Sequence, residues 1–147
     1  MQMFGDKIRL AYYDSFDGPR VVFFGPMDVD FRNLQEIFKR LSLNEGPFEL
    51  HNVPFIQAFG GLRIVASSAG SMFDRGKGKS QGFRQLTLRH GKEFEWKRTA
   101  EGWDYMANKI EGLISSSGPV HQYLTSYPEE DAIVVVSKGE YGDEVLL

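Results

Sequence analysis

The chain contains no cysteine. That excludes disulfides, thiolate nucleophiles and cysteine-ligated zinc together. A small domain that does without disulfides is expected in a reducing compartment, here the cytoplasm. There is no run of 18 apolar residues, so no membrane-spanning helix is expected. The opening stretch "MQMFGDKIRLAYYD" has neither a long apolar segment nor a small-residue cleavage site, and no secretory signal is expected in it. Histidine is scarce: His51, His90 and His121 are the three, and none stands in a metal-ligating spacing, so neither a metal nor a cofactor is expected. The net charge is only -3, which creates no whole-molecule attraction to nucleic acid.

Aromatic residues are what the chain has in quantity: 12 Phe, and 14% aromatic side chains within a 41% hydrophobic composition. That load can bury enough area to fold 147 residues as one domain, 1–147. "KIRLAYYD" alternates and "RVVFFG" is apolar on both faces, which predicts a hairpin across the turn residues "DSFDGP". The period then changes: Phe31, Leu34, Phe38 and Leu41 share one helix face, with Asp28 placed to cap it and Gly46-Pro47 to stop it. "FELHNV" and "LRIVASS" predict two further strands. After a glycine-rich basic stretch, "FRQLTLRHGKEFEWKR" predicts a hairpin turning at His90-Gly91. Trp103, Met106, Ile110 and Leu113 mark a second helix, stopped by Gly118-Pro119, and "VHQYLTSY" and "AIVVVSKG" close the chain.

The order repeats. A shift of 72 lays Phe31, Leu34, Phe38 and Leu41 on Trp103, Met106, Ile110 and Leu113, and Gly46-Pro47 on Gly118-Pro119. A shift of 69 then lays Ile64-Val65 on Ile133-Val134. The expected fold is therefore α+β: two tandem ββαββ units, 7–72 and 83–142, with pseudo-twofold symmetry. They would form an antiparallel sheet of about eight strands packed by two helices, with 73–82 as a mobile crossover loop.

Charge is uneven. From Phe73 to Arg98 there are eight Lys/Arg against three Asp/Glu, and from Pro128 to Leu147 six Asp/Glu against one Lys. Arg75, Lys77, Lys79, Arg84, Arg89 and Lys92 form a candidate basic binding segment, with Phe83, Phe94 and Trp96 available to stack bases if nucleic acid is the ligand. Glu129, Glu130, Asp131 and Glu140 form a candidate acidic segment suited to a basic partner. "GKGKS" has part of a phosphate-loop pattern, but Phe73 stands where the first glycine belongs and a strand follows where a helix is required. No nucleophile-elbow spacing surrounds Ser115 to Ser117. No catalytic residue is expected.

"GPVHQYL" and "PEEDAIVVVS" resemble stretches of small bacterial immunity proteins, which are cytoplasmic, cysteine-poor, acidic α+β domains of this length. The resemblance implies a protein that binds and blocks a toxin. The expected function is thus non-enzymatic binding of a protein partner. A nucleic-acid-binding module on 73–98, and a small-molecule binder or enzyme with its site between the two units, are the alternatives.

Overall fold

The structure, a computed structural model, describes residues 7–69, 81–86 and 92–141. Among the described residues it is a mixed α+β fold with two helices and nine strands in two sheets. In chain order the elements are β1 (Ile8–Ser15), β2 (Gly18–Gly25), α1 (Arg32–Ser42), β3 (Phe48–Glu49), a 3-10 turn (Leu50–Asn52), β4 (Ile56–Ala58) and β5 (Arg63–Ser68). There follow β6 (Gly82–Gln85), β7 (Glu93–Arg98), α2 (Ala100–Ser115), β8 (Val120–Tyr123) and β9 (Ile133–Lys138). No described helix is long and apolar enough to cross a membrane.

One sheet runs β4-β1-β2-β9-β8 and the other β3-β5-β7-β6. β1 and β2 pair antiparallel across the turn that "DSFDGP" signals, and β6 pairs antiparallel with β7. The centre of each sheet is different: β2 pairs in parallel with β9, and β5 in parallel with β7. The expectation of one antiparallel sheet of about eight strands is therefore corrected to two mixed sheets. Parallel pairing joins strands remote in sequence, and periodicity within a strand carries no information about its neighbour. Residues 7–69 and 81–141 each contribute strands to both sheets.

Other local expectations also shift. "FELHNV" gives a two-residue strand and then a 3-10 turn. That turn is pinned by Nδ1 of His51, which accepts the Ile64 N–H at 2.9 Å. An extra strand, β4, forms between "FELHNV" and "LRIVASS", where Ile56 buries its side chain beside Ile8 on β1. Asp28 does not cap α1: the helix starts at Arg32, whose N–H is accepted by Asp30 Oδ1 at 2.9 Å. The two helix exits differ, although both are followed by Gly-Pro. Past α1, Asn44 takes the left-handed turn with φ 63, whereas α2 ends on extended Ser116. The strand shift of 69 matches residues of opposite faces, since Ile64 lies in the main core and Ile133 in a separate cluster on the other side of its sheet. Gly82, expected in the crossover loop, opens β6, while residues 73–80 of that loop and the turn at His90-Gly91 lie outside the described residues.

The main core draws on both sheets and both helices. Both predicted stripes are buried in it, each residue exposed by no more than 1%. Phe38 packs 5.7 Å from Trp96 and 5.2 Å from Trp103, ring centre to ring centre, and Phe23 on β2 lies 6.5 Å from Trp96 on β7. Gln35 on α1 donates to the Ala107 carbonyl and the Glu111 carboxylate on α2, which ties the two helices face to face.

Candidate binding face on the helix-free side of the five-stranded sheet

Strand alternation decides what this sheet shows on its far side. Val21, Phe23, Val134 and Val136 turn into the main core, so Ala11, Val22, Phe24, Ile133 and Val135 turn away and form a second buried cluster. Tyr13 and Tyr141 pack on it. The register puts Tyr123 beside Val135 and His121 beside Ser137 on the same side, and Tyr13 beside Arg20.

Arg20 is the centre of this face, its side chain only 13% exposed. Nη1 donates to the Tyr141 hydroxyl at 3.4 Å and Nη2 meets Asp17 at 3.4 Å. The guanidinium lies 5.7 Å from the centre of the Tyr123 ring. Nε is buried without a hydrogen-bond partner among the described residues. Burial alone would lower the guanidinium pKa; the Tyr141 hydrogen bond and the surrounding phenols outweigh it and raise it. A cavity of about 270 Å³ opens beside Arg20, walled by Asp17, Tyr123, Thr125, Ser126, Tyr127 and Ile133. The hairpin tip reaches the same place. Phe16, in the turn of that hairpin, is fully exposed. A side chain on Gly18 would put its Cβ 2.7 Å from the Tyr127 ring, so glycine is what lets the tip close on the 124–128 loop.

The hydroxyls of Tyr13 and Tyr141 are 3.3 Å apart. Burial, then the bond to Tyr141, pushes Tyr13 up to about 12. Tyr12 is also raised, by burial and then by the Asp14 carboxylate. Alkaline spectrophotometric titration should therefore show a phenol ionising near pH 12 that disappears in Tyr13→Phe. An unfolded tyrosine ionises near about 10. A folded pKa raised above that contributes stability that is complete below about pH 10 and lost as pH climbs towards 12. An unchanged high-pH step in the variant would refute the assignment.

The acidic and basic candidates meet one another. Glu130 accepts the Phe83 N–H at 2.9 Å and lies 3.9 Å from Arg98. Asp131 accepts the Gln85 N–H at 2.8 Å and lies 3.6 Å from Arg84. The Glu129 carbonyl accepts from Arg84 at 2.9 Å, and Asp131 N–H donates to the Phe83 carbonyl at 2.9 Å. The "PEED" loop thus closes the edge strand β6, supplying acceptors to N–H groups that would otherwise invite another strand. Glu140 sits elsewhere, on the Arg20 face, where it meets His121 Nδ1 at 3.0 Å and accepts from Ser137 at 2.7 Å. Burial would raise its pKa, but the bonds from Ser137 and His121 prevail and hold it below the usual carboxylate range. Because Ser137 donates to Glu140 rather than to His121, this trio is not arranged to activate a serine nucleophile. Lys92 lies 6.0 Å from the Tyr12 ring centre. Arg75, Lys77, Lys79 and Arg89 lie outside the described residues. No cluster of three metal-ligating side chains occurs among the described residues.

Neither a protein-family model nor a curated protein matches the chain. The site has to be judged on its own chemistry. The Arg20 face offers a guanidinium, phenolic hydroxyls and aromatic edges around a shallow hollow, which suits recognition more than bond breaking. Sequence reasoning missed Phe16, Arg20, Tyr123, Tyr127 and Tyr141. Alternation in "KIRLAYYD" did place Tyr13 opposite the core side, but the hydroxyl it meets, that of Tyr141, is 128 residues away in the chain.

Proposed function

We propose that the protein is a non-enzymatic binding protein whose partner is another protein, docked on the hairpin-tip end of the five-stranded sheet. One observation carries this reading: half-exposed Tyr123 and Tyr127 wall the cavity beside Arg20, and the hairpin tip whose Gly18 closes on Tyr127 carries a fully exposed Phe16. A phenylalanine left in water forgoes about 1.5–3 kcal/mol of burial, and Tyr and Arg are the residues that dominate binding hot spots. A cavity of about 270 Å³ is sized for one partner side chain and falls just short of the usual small-molecule range of roughly 300–1,000 Å³. The stretches resembling immunity proteins supply Tyr123 and Ile133 of this face, which favours a toxin as the partner and inhibition as the result. The nucleic-acid alternative is disfavoured, since Phe83, Phe94 and Trp96 are buried and cannot stack bases, and Arg84 and Arg98 are paired with carboxylates.

The reading extends to the architecture: residues 7–72 and 83–142 are two units related by a pseudo-twofold axis. Hairpin pairs Leu10–Phe23 and Phe83–Trp96 correspond at a shift of 73. The parallel pairs Val21–Val134 and Phe94–Ile64 correspond if the closing strands are shifted by 70. Corresponding residues also touch: Phe23 meets Trp96, and Gln35 bonds to Ala107. Such self-meeting is what an axis running between the units requires.

A photo-crosslinking residue at position 16 should trap one protein, which is then purified and titrated. Phe16→Asp should leave the melting temperature unchanged, and Phe16→Asp and Tyr127→Asp should each weaken binding by about 2 kcal/mol, roughly thirtyfold. Crosslinks equally frequent from a control position on the other sheet, or full affinity in both variants, would overturn the reading.

A further inference from the structure

Phe16, between β1 and β2, leaves its whole ring in water. The next residue, Asp17, is a wall of the cavity of about 270 Å³ beside Arg20. An exposed apolar knob and a hollow therefore occupy the same end of the same sheet. The hollow is walled by the half-exposed rings of Tyr123 and Tyr127, by Ile133, and by the small residues Thr125 and Ser126. An apolar cavity of about 150 Å³ already takes a benzene, so a phenyl ring has room here. Arg20 and Asp17 are the charged walls, and they meet each other at 3.4 Å. An uncharged ring can enter without leaving either charge unpaired. Leu43, the next most exposed large apolar side chain, has no such counterpart: the hollow it lines holds Glu101 and Asp104 and no aromatic wall.

We propose that two copies of this chain exchange hairpin tips, the Phe16 ring of each seated in the Arg20 cavity of the other. Self-complementarity is the reason for naming a second copy as the occupant. A knob close to its own hollow lets a twofold axis between two tips make both contacts at once, which closes the pair; a knob remote from its hollow would build an open chain instead. The second copy supplies an apolar plug between two phenol rings, where offset or edge-to-face ring packing is available. Charge favours the same occupant. The tip carries Asp14 and Asp17 on either side of Phe16, and the hollow it enters has the Arg20 guanidinium 5.7 Å from the Tyr123 ring centre.

A contact confined to two hairpin tips belongs to the class of interfaces below about 1,200 Å², and the carboxylates of the two tips repel each other across the axis. The pair is therefore weak and forms at high concentration. It uses the cavity of the docking reading but needs no other protein, so it stands or falls separately. Where both operate, each copy masks the docking face of the other, and a partner with a larger interface displaces it.

The test uses the purified whole chain with no other protein present. Sedimentation velocity and amide spectra are recorded from about 10 μM to about 1 mM, the range in which a weak pair assembles. A monomer–dimer equilibrium is expected, with concentration-dependent shifts at residues 15–18, 123–127 and 133. Phe16→Ala, at a fully exposed position, should keep the fold and weaken association about tenfold or more. A mixture shows whether knob meets hollow. Labelled Phe16→Ala, with its hollow intact, should shift at 123–127 when unlabelled Ser126→Trp is added, since that variant has a blocked hollow and an intact knob. Unlabelled Phe16→Ala should cause no shift. Should Ser126→Trp fail to fold, the unlabelled parent chain takes its place. A chain that stays monomeric at about 1 mM, species larger than a dimer, shifts elsewhere, or association unchanged in Phe16→Ala would overturn the proposal. A monomeric chain that still captures another protein through position 16 refutes the exchange and leaves the docking reading standing; a dimer with no captured partner does the reverse.

Discussion

Cut near Gly76, the protein is expected to yield two fragments, 1–75 and 77–147, that do not fold apart and that recover structure when mixed. The reason lies in the strand pairing. The first fragment holds β1 to β5 and loses β9 from beside β2 and β7 from beside β5; the second loses the same two pairings from its side. Each fragment would be left with open strand edges and half of the aromatic core, with Phe23 parted from Trp96 and Phe38 from both tryptophans. About 70 residues is in any case a marginal size for a core. Far-UV circular dichroism and amide exchange on the separate and mixed fragments read this directly. Cooperative unfolding of either fragment alone would show that the two sheets do not depend on each other and would sink the two-unit architecture.

Replacing Phe38 by Ala should lower stability by about 3–5 kcal/mol. The side chain is completely buried and touches Trp96 on β7 and Trp103 on α2. Its loss opens a hollow where one helix meets the other and the opposite sheet, and large neighbouring rings cannot collapse far into it without leaving their own rotamers. Small domains have about 5–15 kcal/mol in total, so the variant should be marginal. With a urea dependence of about 1–3 kcal/mol per molar, the midpoint should fall by roughly 2 M. A midpoint that does not move would mean that Phe38 is not a core anchor.

How far the candidate sites were legible follows from the same physics. The acidic run Glu129, Glu130 and Asp131 and the basic Arg84 are conspicuous as charge, and charge is a property of sequence. Their mutual pairing along β6 is a property of which loop lies on which edge. The Arg20 face was not legible as a site, because its members come from β1, β2, β8, the 124–128 loop and the stretch after β9. Lys138 reads as the one cation in an acidic tail, and only the packing of β9 under the helix ends buries it.

The sequence by itself determined the elements: two amphipathic helices with their buried stripes, the two hairpins, and the mixed α+β class. These rest on local periodicity and turn chemistry, which act within a few residues. The tertiary structure alone decided the parallel joins β2–β9 and β5–β7, the division into two sheets, the extra strand β4 and the different exits of the two helices. Those choices minimise exposed strand edges and fill one shared aromatic core, and that free energy depends on residues far apart in the chain, for which no short window of sequence holds a record.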